Sequence, residues 1–199
     1  MVVTPKGRRT EAAFHDAARQ VFAEKGYLNA KIADIAERAG RSTGSFYNYY
    51  DNKQQLLEAL LQGFGEAVMD RTRAQLTSDP ASNIEQAVRV YLSTYREYLP
   101  EMIAAFQMSM TDEQFAQWWR RRRADGIGAV MDVVRSVEKR GLPVDLDHGV
   151  FASAMVSMLE SFCWTWFVAG GDEHSGSHDD EVAVATLSEI WRRALYNGR

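Results

Sequence analysis

Residues 42–50 read STGSFYNYY and place hydroxyl, amide and phenol side chains on one short predicted helix. Hydroxyl and amide groups hydrogen-bond to base edges and phosphates, and aromatic rings contact thymine methyls and sugars. Phe46 and Tyr50 are expected to pack inward. The outer side of the helix then carries Thr43, Ser45, Tyr47, Asn48 and Tyr49. The chemistry that these groups suit is recognition of nucleic acid.

A tight turn must position this helix. Residues 31–39 form a preceding helix, Gly40 permits the positive φ of the turn, and Ser42 can cap the helix at about 42–48. Two short helices joined in this way are the layout of a helix-turn-helix, whose second helix enters the DNA major groove. Lys53 lies at the N-terminus of the next helix, where its charge and the helix dipole favour a phosphate.

Apolar spacing predicts helices along the rest of the chain. The first runs from about 8 to 25 and ends at Gly26, Asn29 is expected to cap the second, and Asp51 or Asn52 the fourth. After a loop at 77–83, helices are predicted at about 82–98, 100–110, 112–140, 145–169 and 179–197. No alternating strand pattern occurs. The predicted fold is all-α with about nine helices: a three-helix DNA-binding domain at 1–55, then a helical effector-binding and dimerisation domain at 56–199.

Charge is distributed unevenly between these two parts. The chain carries a net charge of −4, but residues 1–55 hold nine basic and six acidic residues, a net +3. The basic part is therefore the part that carries the helix-turn-helix pattern. Cys163 is the single cysteine, so an intrachain disulfide and a cysteine metal cluster are excluded. No signal peptide and no stretch of the roughly 18–20 apolar residues of a membrane helix is recognised, so a cytoplasmic location is predicted.

Several spaced motifs in the first 60 residues resemble the tetracycline-repressor (TetR) family of bacterial regulators. They are FAEKGY at 22–27, IADIAERAG at 32–40, STGSFYNYY at 42–50, and Lys53 followed by Leu56 and Leu57. The remainder has a suitable length but no distinctive motif. The resemblance implies a homodimer that binds a palindromic double-stranded DNA operator and releases it when a small molecule enters the C-terminal domain.

The same resemblance assigns roles to residues by position. Bases would be read by Thr43, Gly44, Ser45, Tyr47 and Asn48, and phosphate held by Tyr49 and Lys53, with Ser42 at the helix start. Three positions depart from the family pattern. Lys31 replaces a usual threonine and can hold phosphate as a charge, Ala33 replaces a common arginine, and Arg41 replaces a small apolar residue, either contacting phosphate or lying in solvent.

The second part of the chain is rich in methionine and aromatic residues. Each residue alone is better explained as helical core, but the set suits the lining of an adaptable small-molecule pocket. A hydrophobic or aromatic effector is therefore predicted, with Arg89, Arg96, Gln107 and Glu160 as polar anchors. The predicted lining residues are Tyr91, Tyr95, Met102, Phe106, Met110, Phe115, Trp118, Trp119, Met155, Met158 and Phe162.

The last two long helices are the predicted dimer interface, because pairing two copies would make a four-helix bundle. Small residues on the first would allow close approach and large ones on the second would fill the gap. The predicted interface residues are Ala154, Ser157, Ser161, Thr165, Val184, Leu187, Trp191 and Leu195, accompanied by Val150 and Val168.

Metal and catalytic sites are not predicted. His148, His174 and His178 lie near carboxylates, but residues 172–180 read as a polar surface loop, and no cofactor motif or nucleophile motif occurs. The sequence therefore predicts a ligand-responsive DNA-binding repressor without a cofactor. An activator or a ligand-independent regulator of the same fold is the alternative, and an enzyme using the C-terminal pocket is disfavoured.

Overall fold

The computed structural model describes residues 4–141, 144–171 and 178–196, and in these ranges the chain is all-helical, as predicted. The helices succeed one another along the chain in numerical order. They are α1 Pro5–Lys25, α2 Ile32–Arg38, α3 Thr43–Phe46, α4 Lys53–Ala74, α5 Pro80–Glu97, α6 Leu99–Thr111, α7 Glu113–Lys139, α8 His148–Phe167 and α9 Asp180–Tyr196. The bounds agree with the predicted helices to within a few residues, except that α3 is shorter than the predicted 42–48.

The chain divides into two units. Unit 1 comprises Met1–Phe64 and Tyr98–Ala116, and unit 2 comprises Gly65–Glu97 and Gln117–Arg199. Helix α6 therefore belongs to unit 1, although the helices before and after it in the chain lie wholly or mostly in unit 2. Helices α4 and α7 each continue from unit 1 into unit 2.

Large apolar side chains fill the core of unit 1, where α1 packs against α2 and α6. The rings of Phe14 in α1 and Phe46 in α3 meet edge to face, with their centroids 5.5 Å apart, and neither has exposed surface. Ile35 and the α4 residues Leu56 and Leu57 are likewise fully buried. Burying such side chains stabilises each by roughly 1.5–3 kcal/mol relative to exposure, so this core fixes where α3 lies.

Local capping sets the ends of the first helices. Gly26 and Gly40 adopt positive φ, as the sequence predicted, and the Asn52 side chain caps α4 by accepting from the Gln55 N–H at 2.9 Å. The prediction for Asn29 is wrong. Its amide donates to the Lys25 carbonyl at the end of α1, and Lys31 is instead the N-cap residue of α2, with its N–H donating to the Asp34 carboxylate.

In unit 2, α5 packs against α8 and α9. This packing contradicts half of the predicted dimer interface, because the large α9 residues are buried within the chain itself. These residues are Val184, Leu187, Trp191 and Leu195. The apolar stripe that was predicted as an interface is therefore the inner face of α9. Its outer face instead carries Val182 and Ile190, which is 46% exposed.

Helix α8 corrects a second expectation. By length and composition alone it is apolar enough to cross a membrane, although the sequence analysis found no such stretch, and 28% of its apolar window is buried inside the chain. Its exposed side includes Val150, at 69% exposure, and the predicted interface residues Ala154, Ser157 and Ser161. Helix α8 therefore presents a side of mostly small and apolar residues that the described residues of the chain leave uncovered.

Candidate nucleic-acid interface

Helix α3 is held by a cap at one end and by buried rings on its inner side. The Ser42 hydroxyl accepts from the Ser45 N–H at 3.1 Å, which confirms the predicted cap. Phe46 is fully buried and Tyr50 nearly so, as predicted. Because the helix is anchored through these inward residues, its opposite side is left to solvent.

The outward groups match the predicted reading surface in part. Thr43, Gly44 and Asn48 are exposed, and Tyr47 exposes 54% of its surface. Ser45 is half-buried, and Tyr49 packs its ring 5.8 Å from that of Phe14. Tyr49 therefore takes part in the packing of unit 1 while keeping some exposed surface for a phosphate.

A polar network underlies the end of this segment, and sequence reasoning missed it. The Tyr50 hydroxyl lies 2.7 Å from His15 Nε2 and 3.5 Å from Glu11 Oε1. Burial lowers the pKa of His15, and burial together with Glu11 raises the pKa of Tyr50. The imidazole is thus favoured in its neutral form, which can accept the phenol proton in a hydrogen bond.

Lys53 has an intramolecular role that its position in the sequence does not reveal. Its ammonium donates to the carbonyls of Tyr27 at 2.5 Å, Ala30 at 2.8 Å and Leu28 at 3.4 Å. It also lies 4.3 Å from the centre of the Tyr27 ring, and burial lowers its pKa. A lysine has three N–H donors, so a phosphate at Lys53 would compete with these bonds.

The two other predicted cationic contacts remain at the surface. Lys31 and Arg41 are both exposed, and Arg41 donates to the carbonyl of the adjacent Gly40 at 3.2 Å. Arg38, by contrast, forms two hydrogen bonds to Glu24 and one to Gln20. Lys31 and Arg41 are therefore better placed than Arg38 or Lys53 to meet a phosphate without breaking an ion pair or a hydrogen-bonded cluster.

The predicted effector residues divide between the two units. Met102, Phe106, Met110 and Phe115 belong to unit 1, where Met102 and Phe115 are buried while Phe106 and Met110 are exposed. The remaining seven belong to unit 2. There, the rings of Tyr91 and Tyr95 are 6.2 Å apart, those of Trp118 and Trp119 stack, and Phe162 stacks on Trp166.

The predicted polar anchors are engaged to different degrees. Arg89 pairs with Glu85 and Glu181, and Arg96 pairs with Asp180 at 2.5 Å. Glu160 pairs with Arg123, a residue that the sequence analysis did not select, and both of these side chains are less than one-quarter exposed. Among the histidines considered for a metal, His148 pairs with Glu138, His178 stacks on Trp166, and His174 lies outside the described residues.

Known proteins share both the N-terminal motif and the whole fold. The family model of bacterial regulatory proteins, tetR family, matches residues 15–60. The HTH-type transcriptional regulator EthR of Mycolicibacterium smegmatis is 22% identical, with 97% of this chain and 93% of EthR covered. The HTH-type transcriptional repressor KstR2 of Rhodococcus jostii is 34% identical over a segment that covers 41% of this chain and 40% of KstR2.

A solved structure shows the same fold along nearly the full length. It is the fatty acid degradation regulator FadR from Bacillus halodurans, which superimposes with a TM-score of 0.77. The match covers 96% of each chain at 19% identity. The strongest sequence identity thus falls on a part of the chain, while the similarity of fold extends into the helical remainder.

Proposed function

Because the chain belongs to the TetR family of bacterial regulatory proteins, we propose that it is a repressor that releases a palindromic operator when a small molecule binds. Its relatives are HTH-type transcriptional regulators and repressors. The DNA-binding role is assigned to residues 1–55 and the sensing and dimerisation roles to 56–199. The protein acts in the cytoplasm, where bacterial DNA lies, without enzymatic turnover.

One observation carries the DNA-binding part of this proposal. Within the segment that matches the family model, Phe46 and Tyr50 anchor α3 inward, while Thr43, Tyr47 and Asn48 remain exposed. These three side chains provide the hydroxyl, phenol and amide groups that read base edges and phosphates. The set of DNA contacts that we propose is Lys31, Arg41, Ser42, Thr43, Gly44, Ser45, Tyr47, Asn48, Tyr49 and Lys53.

The uncovered sides of α8 and α9 support a homodimer. Val150, Ala154, Ser157 and Ser161 are spaced to lie on one side of α8, and Val182 and Ile190 are exposed on α9. Two copies of this helix pair would bury these residues in a four-helix bundle. Such a dimer would present its two recognition helices to half-sites about 34–36 Å apart, or somewhat more.

The mechanism is a shift between two conformations. A ligand that binds more tightly to the conformation with misplaced recognition helices lowers operator affinity by the ratio of its two affinities. The aromatic residues of unit 2 are the proposed contacts of a hydrophobic or aromatic effector. The name of the Bacillus halodurans regulator refers to fatty acid degradation, but at 19% identity this likeness supports the fold and does not select an effector.

The test is a titration of the DNA upstream of the protein's own gene with the protein, in which fluorescence anisotropy measures binding. It is done at two salt concentrations, with random DNA as competitor. We expect the protein to bind this DNA tightly in the presence of competitor DNA. We also expect a screen to find lipophilic compounds that release the protein from the DNA. A sequence-specific role would be contradicted if binding is weak and disappears with salt for two kinds of DNA: the upstream DNA and fragments selected from the whole genome. Activation would instead appear as ligand-dependent tightening.

A further inference from the structure

The ion pair between Arg123 and Glu160 differs from the other arginine–carboxylate pairs of unit 2. Both of its side chains are less than one-quarter exposed, at 24% and 23%. Other pairs in this unit, such as Arg89 with Glu181 and Arg96 with Asp180, each have a more exposed arginine. Withdrawing charges from water is costly, so a half-buried pair contributes little net stability, and a role other than stabilisation has to be considered.

Two tyrosines of α5, a helix that packs against α8, interact electrostatically with the Glu160 carboxylate. Tyr91 and Tyr95 lie one turn apart on α5, and the Tyr95 ring is 6.1 Å from that of Phe167 on α8. Burial raises the pKa of both phenols, and the nearby Glu160 raises them further. Burial also raises the pKa of Glu160, against the attraction of Arg123. Poorly hydrated carboxylate and aromatic faces together are the groups that bind organic cations.

The Arg123 guanidinium occupies this place with incomplete hydrogen bonding. Its Nε donates to both Glu160 oxygens, at 2.7 and 2.9 Å, and its Nη2 donates to the Ser157 hydroxyl at 3.0 Å. In the part of the chain that the structure describes, Nη1 makes no hydrogen bond. The contact therefore lacks the two parallel N–H to oxygen bonds of the strongest arginine–carboxylate pairs.

Arg123 and Glu160 differ in how readily their side chains can move out of the ion pair. Glu160 has a short side chain on α8, whereas Arg123 has a long one and follows the exposed arginines 120–122 of α7. The guanidinium can therefore turn into water while the carboxylate stays. A cation that replaces it keeps the charge of the site unchanged, whereas an anion bound to Arg123 would add a second negative charge beside Glu160.

We propose that Glu160 anchors a cation-binding site, and that an effector with a positively charged aromatic or quaternary ammonium group binds by displacing the Arg123 guanidinium. The proposal rests on the ligand-responsive function above and narrows its effector to lipophilic cations. Arg123 then acts as an internal competitor, and Tyr91 and Tyr95 provide the ring faces.

The test compares three probes with similar double rings by calorimetric titration at pH 8: N-methylquinolinium as the cation, quinoline as the neutral compound and 2-naphthoate as the anion. For the unsubstituted protein we expect the cation to bind most tightly. Glu160→Gln should weaken cation binding at least tenfold and leave quinoline unaffected. Arg123→Ala should tighten cation binding, which is the reverse of the loss expected when a ligand contact is removed.

Glu181→Gln provides the control, because it neutralises an exposed carboxylate of the same unit. Thermal unfolding of each variant shows whether it is folded. The proposal would be overturned if N-methylquinolinium does not bind, or binds no more tightly than quinoline. It would also be overturned if Glu160→Gln binds this cation as tightly as the unsubstituted protein does, or if 2-naphthoate binds more tightly than the cation. If the cation fails these tests while neutral or anionic compounds still release DNA from the unsubstituted protein, the ligand-responsive function stands and the cation site alone fails.

Discussion

Arg19 in α1 and Glu101 in α6 form an ion pair with 2.7 Å between Nε and Oε1, and the Glu101 side chain has no exposed surface. The Arg19 guanidinium also lies 4.4 Å from the centre of the Tyr98 ring. A helix of the DNA-binding segment is thereby attached to α6 through a buried charge that is compensated by an arginine.

We predict that Arg19→Ala lowers the free energy of unfolding by about 3 kcal/mol at pH 7, because it removes an arginine that compensates the charge of the buried Glu101 carboxylate. The measurement is urea denaturation. Adding Glu101→Gln should restore part of the loss, since the double variant no longer buries a charge. Arg38→Ala is the control: its pair with Glu24 is exposed, so the loss should be much smaller. Equal losses for Arg19→Ala and Arg38→Ala would refute this account.

Tyr47→Ala should weaken operator binding roughly tenfold, the scale expected for one base contact. Because Tyr47 is more than half exposed, its melting temperature should hardly change. Anisotropy titrations provide the measurement, and Leu28→Ala is the control, since Leu28 is exposed in unit 1 but lies outside the segment 42–50. The same affinity for both variants would remove Tyr47 from the proposed contacts.

Replacement by alanine should affect stability at Lys53 but not at Lys31. Lys53→Ala removes hydrogen bonds to the Tyr27 and Ala30 carbonyls, so we expect a lower melting temperature. Lys31→Ala should leave the melting temperature unchanged. It should reduce the slope of log affinity against log salt by about 0.9, the value for one phosphate contact. Lys53 is also among the proposed phosphate contacts, so Lys53→Ala should reduce this slope as well, and an unchanged slope would remove Lys53 from that set.

Acidification should destabilise the protein through His15. Burial holds the pKa of His15 below its ordinary value of 6.5, so the unfolded chain takes up a proton first as the pH falls. The contribution of the neutral imidazole is fully present above that value and is lost below it. The free-energy difference between the unsubstituted protein and His15→Gln should therefore be constant near pH 8 and shrink towards pH 5.5. A difference that grows on acidification would reverse the sign of this prediction.

Val150→Arg and Ile190→Arg should convert the proposed dimer into a folded monomer in sedimentation experiments, because each places a charge on an uncovered side of unit 2. Leu187→Arg should instead unfold the chain, since Leu187 is buried. Val133→Arg on α7 is the control and should remain a dimer. A dimer that survives both Val150→Arg and Ile190→Arg would place the interface elsewhere.

Periodic apolar spacing and glycine positions were sufficient to predict the helices and the turn before α3. Phe46, Tyr50, Gly26 and Gly40 behave as predicted, because each obeys a rule that acts over a few residues. The face of α9 could not be chosen in this way. Val184 and Leu187 form an apolar stripe that suits a core and an interface equally well, and only the packing of α5 against α9 decides between them.

Contacts between distant positions explain the remaining differences. Lys53 lies 26 residues from Tyr27 in sequence, and Arg19 lies 82 residues from Glu101. No local pattern signals either pairing. The site residues that the sequence predicts best are those of α3 and the turn that follows it, because their exposure depends on one short segment. The roles of Lys53, His15 and Arg123 depend instead on which helices meet.

The assignment of α6 to unit 1 has a consequence for dissecting the protein. A fragment that stops after Phe64 would contain α1, α2 and α3 but would lack residues 98–116. It would therefore deprive Arg19 of Glu101 and expose the surface of α1 that α6 covers. Unit 1 is thus discontinuous, assembled from two stretches of chain, and we expect the DNA-binding segment to keep its native packing in another protein only if α6 is transferred with it.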